Sequence, residues 1–387
     1  MTTENHYNII DFGSSKIRFA VFDNNFNEKF LNTLTVNFNE QYTEHFEILL
    51  KSIKKAEKKI SYHIKDIILS LDSSRLFTIE ISLIKNLDKK NKLKKIYESL
   101  ILELNQLITI YYSNKQIAHI IMDNCIADNI AYNDLPIEEI NISNLKVDFK
   151  VICFPKELIN VLKNNFIKNN LNVTSFFCTS YLKSKQYLKK LKRDKISFLE
   201  IGWERTTFIL YEKKKFKLIQ TIPIGSFHIT KDISNIFKIS IDNSEKIKKL
   251  FNKSDTEFSY EKNSLENSAL LKNIINKNIS VDVLKKVILY RVQEIIDLIF
   301  KKIDQESYKY NINDTDLFLI GEGSILFKDN SFHLDDKFNF KSINYYDETD
   351  NQICRSGLQH YLSNFDNPKI IYKKQGLFEK FFNYFSK

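Results

Sequence analysis

Apolar residues recur along this chain with two different spacings, which together predict strands interleaved with helices. Short apolar runs on either side of a small-residue turn predict a hairpin at residues 8–23, and the same pattern returns at residues 196–222. Elsewhere apolar residues recur every three or four positions, most clearly at residues 281–303, and predict amphipathic helices. Each hairpin starts with a strand, an acidic residue and, two positions later, a Gly. This recurrence indicates a duplicated α/β fold with two pseudo-symmetric halves.

A compact module is predicted between the two hairpins. It follows a helix at residues 44–63 and a buried strand at residues 67–71, and its own order is strand, helix, strand, strand. Its four elements are expected at residues 76–83, 90–112, 117–122 and 145–154. The other helices are expected at residues 157–169, 230–237, 244–251, 281–303 and 351–362, and a further strand at residues 317–320.

Composition limits the classes of protein to which the chain can belong. Of 387 residues, 43% are hydrophobic and 13% aromatic, which is enough for packed cores and excludes a disordered or collagenous chain. Only 7 residues are Gly, so each is expected where the backbone needs one. The 4 cysteines form no Cys-x-x-Cys pair and have no His at ligand spacing. A zinc site and a disulfide framework are therefore not supported, and a reducing cytoplasm fits best.

The formal charge of +10 raises the question of a nucleic-acid partner. Only six of the 58 basic residues are Arg, the residue that reads bases and phosphates in a bidentate manner, so we expect no nucleic-acid partner. The opening residues are polar and lead directly into a strand, so no signal peptide is expected. All apolar runs are shorter than the roughly 20 residues of a membrane span.

The turn of the first hairpin has the composition of a phosphate cradle. Successive backbone N–H groups can form an anion nest, Gly13 permits close approach, and Ser14, Ser15 and Lys16 add donors. Asp11 is then placed to hold Mg²⁺ indirectly, through water. An ordinary hairpin turn has the same composition, so the segment alone leaves both interpretations open.

Two later segments can complete such a site. The second hairpin turn contains Gly202, Arg205 and Thr206 and would supply a second phosphate turn from the opposite half. The third segment is a buried strand that ends in Gly321-Glu322-Gly323-Ser324, a turn that can approach an adenine ring. Each of these segments, taken alone, is equally consistent with an ordinary turn.

The order of these segments resembles the FtsA family of bacterial actin-like division proteins, within the actin, heat-shock chaperone and sugar kinase ATPase superfamily. That family carries an Ile-Pro-x-Gly strand end followed by Thr-x-Asp, which residues 222–232 match, and an Ala-Glu-x-x-Lys helix, which residues 244–248 resemble. Residues 355–361 resemble its closing Ala-Val-Gly-Leu-Leu-x-Tyr helix. The resemblance covers nearly the whole chain and rests on the ordered set of motifs, since no single motif is decisive.

The resemblance implies an actin-like two-lobed ATPase fold that binds ATP and Mg²⁺ in a cleft between the lobes. Glu245 and Lys248 would line the adenosine pocket, although an exposed helical charge pair would have the same spacing. The residues that the resemblance assigns to the nucleotide are Asp11, Gly13, Ser14, Ser15, Lys16, Gly202, Arg205, Thr206, Gly225, Glu245, Lys248, Gly321, Gly323 and Ser324.

The resemblance also divides the chain into subdomains and suggests a partner for each. The subdomains are a first lobe at residues 1–75 and 155–194, an inserted module at 76–154, a second lobe at 195–236 and 314–362, its outer subdomain at 237–313, a linker at 363–373 and a terminal helix at 374–387. The outer subdomain would bind the C-terminal tail of the tubulin-like FtsZ. The inserted module would contact a neighbouring protomer of an actin-like filament or later division proteins.

The terminal segment has the pattern of an amphipathic helix on a membrane surface. Its apolar stripe, together with lysines such as Lys380 beside it, suits the acyl boundary of an anionic membrane. The stripe consists of Leu377, Phe378, Phe381, Phe382 and Phe385. Packing of this helix on its own domain is the alternative. Membrane attachment would place the protein at the cytoplasmic face of the cell membrane, at the division site.

Four positions depart from the family pattern. Trp203 and Glu204 stand where the second turn is normally small, Thr207 stands where many relatives have a metal-side Asp, and Glu322 replaces a Gly of the third turn. We therefore expect slow or absent ATP hydrolysis, with the nucleotide acting as a clamp between the lobes. The alternatives are an actin-like scaffold of another membrane machine, such as pilus assembly, and a small-molecule kinase, which needs a catalytic carboxylate that is not evident in the sequence.

Overall fold

The computed structural model describes residues 6–36, 42–87, 93–132, 142–191, 193–253, 281–305, 310, 312–327 and 339–363. Its strands are β1 (Tyr7–Phe12), β2 (Lys16–Phe22), β3 (Glu28–Thr35), β4 (Asp66–Leu71), β5 (Phe77–Asn86), β6 (Lys115–Ala127), β7 (Ile130–Tyr132), β8 (Asn144–Pro155), β9 (Asn172–Cys178), β10 (Lys195–Ile201), β11 (Thr206–Glu212), β12 (Lys215–Ile222), β13 (Asp316–Ile320) and β14 (Ser342–Tyr345). Its helices are α1 (Tyr42–Ile60), α2 (Leu93–Tyr111), α3 (Lys156–Lys168), α4 (Thr179–Lys190), α5 (Ser226–Phe237), α6 (Ile241–Lys253), α7 (Val281–Asp304) and α8 (Asp350–Ser363). A short 3-10 helix spans Glu322–Phe327.

Two five-stranded sheets carry the same strand order and the same strand directions. The first sheet has the order β3-β2-β1-β4-β9, and the second has the order β12-β11-β10-β13-β14. In each sheet the three strands of the meander pair antiparallel and the other two join in parallel. The structure therefore confirms the predicted duplicated α/β fold, and the two halves form a first and a second lobe.

The parallel pairings determine where the functional site can lie. Because β4 runs parallel to β1, and β13 parallel to β10, the residues that follow these strands emerge at one edge of each sheet. In open α/β sheets the crevice at the carboxyl ends of the strands is the usual place for a ligand. The turn after β1, the turn after β10 and the turn after β13 meet at this place.

The inserted module forms a separate four-stranded antiparallel sheet. Its order is β5-β8-β6-β7, and α2 packs against it around a core that includes Leu100, Leu104, Val147 and Phe149. The expected order of strand, helix, strand and strand is present, with the short strand β7 in addition.

Helix α4 packs between the two lobes. Tyr187 on this helix is fully buried, and its ring centroid lies 6.3 Å from that of Phe198 on β10 of the second lobe. The apolar cluster around it combines first-lobe residues such as Phe19 with second-lobe residues such as Phe318. Another cluster lies between the second sheet and helices α5, α6 and α7. The lobes thus share part of their core next to the cleft.

Several elements are present in the structure that the hydrophobic pattern does not predict. β3 and β14 are edge strands with half-buried residues and no clear alternation, and β9 was likewise not predicted. Helix α4 buries Ser180, Lys183 and Ser184, so its sequence lacks an apolar stripe. These elements are buried by contacts with distant parts of the chain, so the spacing of their own apolar residues does not predict them.

Helix α5 begins four residues before its predicted start, at Ser226. The backbone N–H of Ser226 donates to the carbonyl of Gly202 at 2.9 Å, and that of Phe227 donates to the carbonyl of Trp203 at 2.8 Å. These two bonds cap the helix with carbonyls of a distant turn, which no local sequence signal encodes.

Apart from Ser363, which ends α8, the predicted linker and the predicted terminal membrane helix lie outside the described residues. Among the helices that the structure does describe, none has both the length and the apolar character needed to cross a membrane.

Candidate functional site

Three turns surround a cleft of about 830 Å³ between the lobes. We call residues 13–16 the first turn, residues 202–205 the second turn and residues 321–324 the third turn. The structure brings eleven of the predicted nucleotide residues to the lining of this cleft: Asp11, Gly13, Ser14, Ser15, Lys16, Gly202, Arg205, Glu245, Lys248, Gly321 and Gly323.

The other three predicted residues lie behind the lining and support it. The Thr206 hydroxyl donates to the carbonyl of Ile224 at 2.8 Å, and the Ser324 hydroxyl donates to the carbonyl of Gly321 at 2.6 Å. A Cβ atom on Gly225 would lie 2.6 Å from the carbonyl oxygens of both Gly202 and Trp203. These residues therefore hold the turns in place rather than face the cleft.

The first and second turns have the same local construction. The N–H of Gly13 donates to the carbonyl of Lys16 at 3.0 Å, and the N–H of Gly202 donates to the carbonyl of Arg205 at 2.9 Å. In each hairpin the basic residue therefore stands three positions after the Gly and at the start of the returning strand. The third turn differs, because Gly321 has a φ of +85° and lets the chain leave β13 beside the Ile201 carbonyl.

Asp11 does not face a vacant metal position. Its Oδ2 accepts a hydrogen bond from Arg18 Nη1 at 2.9 Å, and its Oδ1 accepts from the hydroxyls of Thr179 at 2.7 Å and Ser70 at 3.1 Å. The hydroxyl of Thr207, at the other metal-side position, is buried and lies 3.2 Å from that of Thr221. A guanidinium beside the carboxylate disfavours a dication, so these residues do not fit the Mg²⁺ that the resemblance implies.

Within the described residues, no group of three or more His, Cys, Asp and Glu side chains is arranged to hold a metal ion.

The cations of the first and second turns are paired with carboxylates of the opposite lobe. Lys16 Nζ donates to Glu322 Oε1, and Arg18 Nη2 lies 3.7 Å from the same oxygen. Arg205 Nη2 donates to Asp72 Oδ2, next to the end of β4. The cleft therefore contains ion pairs that join the two lobes.

A buried ion-paired cluster lies beneath the second turn. Lys183 Nζ donates to Glu200 Oε1 at 2.7 Å and lies 3.1 Å from Glu348 Oε1. Burial alone would raise the pKa of Glu200, but Lys183 and Arg205 outweigh it and lower that pKa to about 2. Burial has the larger effect on Asp72 and, with Glu200 nearby, raises its pKa to about 6 despite Arg205.

The predicted adenosine residues form an ion pair in which Lys248 is buried and Glu245 is half-buried. Lys248 Nζ donates to Glu245 Oε2 at 2.6 Å, to the Thr230 hydroxyl at 2.8 Å and to the carbonyl of Ser226 at 3.0 Å. The same ammonium group lies 4.8 Å from the centroid of the Trp203 ring. The ring of Trp203 in turn stacks on Phe227 with centroids 5.0 Å apart, so an aromatic group occupies this side of the second turn.

The sequence did not assign several charged residues to the cleft, although Glu200 is the acidic residue noted at the start of the second hairpin. Asp72 directly follows β4, and Glu200 lies near the end of β10, so an acidic residue at the end of a buried strand was an available signal. No sequence pattern marked Lys183 or Glu348 as cleft residues. Lys183 lies on the polar helix α4, and Glu348 lies in an irregular segment. The buried carboxylates Asp72, Glu200 and Glu348 are all ion-paired or hydrogen-bonded, which does not favour a kinase base.

Two matching five-stranded sheets on either side of a cleft define a protein of the actin-like ATPase fold. Solved structures with this fold align with most of the chain. The structure described as a PilM-PilN type IV pilus biogenesis complex aligns with a TM-score of 0.60 at 13% identity, over 90% of this chain and 89% of that chain. The structure of MreB 5 of Spiroplasma citri bound to AMPPNP aligns with a TM-score of 0.51 at 10% identity, over 95% of this chain and 98% of that chain.

Part of the sequence is also similar to a known family. The family model described as cell division protein FtsA matches residues 198–307, from β10 through α7. Over these residues the chain is similar to FtsA, and as a whole it has the actin-like ATPase fold. No individual curated protein matches the sequence significantly.

Proposed function

We propose that this protein is a membrane tether of the division machinery, which anchors FtsZ at the cytoplasmic face of the cell membrane and recruits later division proteins. The observation that carries this proposal is the FtsA family match at residues 198–307, because it covers the first part of the second lobe and most of its outer subdomain. Assembly into an actin-like filament, with the inserted module at a contact between protomers or with later partners, belongs to the same proposal.

The outer face of the second lobe supports an acidic peptide partner. Lys246 and Lys249 on α6 are exposed, and Lys285 and Lys286 on α7 are exposed as well. Positive charge on these two helices attracts an acidic segment and orients it during encounter. We therefore assign the FtsZ C-terminal tail to this face.

We propose ATP as a structural ligand of the cleft rather than a substrate for rapid turnover. The support is a cleft of about 830 Å³ lined by eleven of the predicted residues, together with the AMPPNP bound to MreB 5. The first and second turns would hold the phosphates and the region of Lys248 the nucleoside. The pairing of Asp11 with Arg18 argues against a metal-assisted reaction.

Liposome flotation with FtsZ tests the tether directly. The full chain and a chain that ends at Asp366 are mixed with vesicles rich in anionic lipid, with and without FtsZ. We expect the full chain to float and to carry FtsZ with it, because the stripe from Leu377 to Phe385 inserts at the acyl boundary. Equal flotation of the two chains would refute membrane attachment through the terminal segment. If the full chain floats but FtsZ stays at the bottom of the gradient, the proposed recruitment of FtsZ is refuted.

A scaffold of a type IV pilus machine is the second candidate. The alignment with the PilM-PilN complex over 90% of this chain favours it. Binding of fluorescent peptides separates the two candidates: an FtsZ tail peptide against a PilN-type peptide, with charge-matched scrambled peptides as controls. Saturable binding of the PilN-type peptide alone would select the pilus scaffold.

A further inference from the structure

The basic residues of the first and second turns occupy equivalent places in the duplicated fold. Lys16 starts β2 and Arg205 immediately precedes β11, and the carbonyl of each accepts a bond from the turn glycine. Each side chain reaches a carboxylate on the other lobe, because Lys16 bonds to Glu322 and Arg205 bonds to Asp72. The two contacts are therefore reciprocal bridges across the cleft.

We propose that the chain bridges its own cleft with Glu322 and Asp72, which take the place of phosphate at the two turn cations, and that phosphate must displace Glu322 to bind. The closed arrangement of the lobes then needs no nucleotide. The inference depends on the proposed function only where it concerns ATP.

The two bridges differ in how easily an anion can displace them. The Glu322 side chain is 59% exposed and that of Lys16 is 30% exposed, so water and anions reach this pair. The Asp72 side chain is only 6% exposed and that of Arg205 is 13% exposed. Asp72 also accepts a bond from the backbone N–H of Ser180 at 3.1 Å. Exposed ion pairs contribute little, whereas breaking a buried pair is costly, so Glu322 is the displaceable bridge.

The third turn holds Glu322 at the mouth of the cleft. The N–H of Gly321 donates to Glu348 Oε2 at 2.8 Å, and a Cβ on Gly323 would lie 2.8 Å from the Ile201 carbonyl, so both flanking residues are closely packed. The Glu322 carboxylate faces Lys16 and lies 3.7 Å from Arg18 Nη2. It neutralises the cations that a phosphate needs and repels an incoming phosphate.

Anion binding to Glu322 variants tests the proposal. Pyrophosphate and ATP, each with and without Mg²⁺, are titrated into the full chain by calorimetry, with fluorescence of Trp203 as a second readout, since the chain contains 1 Trp and this residue lines the cleft. The variants are Glu322→Gln and Glu322→Gly. Glu157→Gln, at an exposed acid on α3, changes the net charge equally and serves as the matched control.

We expect both Glu322 variants to bind pyrophosphate with a Kd at least tenfold lower than that of the wild type, and Glu157→Gln to bind like the wild type. Adding Lys16→Ala to Glu322→Gln should reverse the gain, which places the anion at the first turn. Equal affinity of the wild type and both Glu322 variants for pyrophosphate, including the absence of binding by all three, would overturn the proposal.

The titrations with ATP distinguish a failure of this inference from a failure of the proposed function. Tighter pyrophosphate binding without any ATP binding would support the bridge and refute ATP as the ligand of the cleft. Flotation and FtsZ recruitment are measured without nucleotide, so their failure would leave the bridge intact.

Discussion

Gly225 shows what a single glycine contributes to the cleft. Its position allows the start of α5 to lie directly against the second turn, since a Cβ there would be 2.6 Å from the Gly202 carbonyl oxygen and 2.7 Å from the Arg205 nitrogen. Backbone groups cannot move aside as the end of a long side chain can. With only 7 Gly in the chain, this use is a strong sign that the second turn and α5 form one unit.

Gly225→Ala is expected to destabilise the fold by about 1–3 kcal/mol, because the added methyl group must push the second turn away from α5. Denaturant unfolding measures the change. Gly357→Ala is the matched control, since its Cβ would meet Ile9 Cγ2 at an ordinary 3.4 Å and Ala favours the interior of α8. A neutral Gly225→Ala would contradict this account of the turn.

A buried histidine pair lies where the inserted module, strand β9 of the first lobe and helix α8 meet. His119 Nε2 accepts a bond from the backbone N–H of Cys178 at 2.8 Å, so its proton lies on Nδ1, which donates to His360 Nε2 at 3.1 Å. Burial lowers the pKa of His119 well below 6.5 and that of His360 to about 3. Both rings are therefore neutral in the folded protein.

The pair makes stability depend on pH. The unfolded chain binds protons at these residues below about pH 6.5 and the folded chain does not, so stability is fully present above that pH and decreases as the pH falls towards 3. The slope is at most about 1.4 kcal/mol per pH unit for each histidine. We expect His360→Gln to reduce the slope between pH 6.5 and 5, measured by chemical unfolding.

Comparing His360→Gln with the wild type isolates the contribution of His360 to the pH dependence of stability. The raised pKa of Asp72 acts in the opposite direction, since it adds stability as the pH falls below about 6, but it is common to both proteins. His63→Gln, at a side chain that is 68% exposed, is the control. An unchanged slope in His360→Gln would show that His360 does not carry this dependence.

At the level of elements, the inserted module is attached to the second lobe as well as to the first. Lys217 on β12 donates to Asp123 Oδ1 on β6 at 2.8 Å, and Lys215 donates to the carbonyl of Asp123 at 3.0 Å. Lys150 on β8 donates to the Tyr310 hydroxyl at 2.6 Å. The module therefore spans both lobes, and a change in the angle between them must be transmitted to it.

Asp123→Asn is expected to loosen the contact between β6 and β12 at a cost of about 1–3 kcal/mol, because the pair with Lys217 is partly buried. Hydrogen exchange at the two strands measures the loosening. Asp148→Asn is the matched control, since the contacts of Asp148 with Ser82, Asn124 and Lys146 lie within the module. Unchanged exchange at β12 in Asp123→Asn would show that this contact does not hold the module.

For the molecule as a whole, charge joins the lobes across the cleft. The bridges of Lys16 and Arg205 and the pair of Lys183 with Glu200 all link residues of different lobes. Arg18 neutralises the charge of Asp11, the residue expected on the metal side. These ion pairs are therefore better suited to holding the two lobes together than to metal-dependent hydrolysis of ATP.

Phosphate release from ATP with Mg²⁺ is expected to be no faster for the wild type than for Asp11→Asn. Asparagine keeps the size of the side chain; its amide oxygen can accept the bond from Arg18 while its NH2 group donates to the Thr179 hydroxyl, so this variant removes the charge with little change of packing. A coupled phosphate-release assay measures both rates. Robust turnover that Asp11→Asn abolishes would show that Asp11 takes part in catalysis.

The sequence by itself determined the duplicated hairpins, the inserted module and the turn residues among the eleven that line the cleft, because strand periodicity and turn glycines are local properties of the chain. The resemblance to FtsA supplied Glu245 and Lys248. Only the tertiary structure decided the partners of those residues. Asp72, Lys183 and Glu348 come from a strand end, a polar helix and an irregular segment, and they meet the turns only when the two lobes close. Ion pairing depends on distances between remote segments, so local pattern could locate the cleft but could not show that the cations of its turns pair with carboxylates of the opposite lobe.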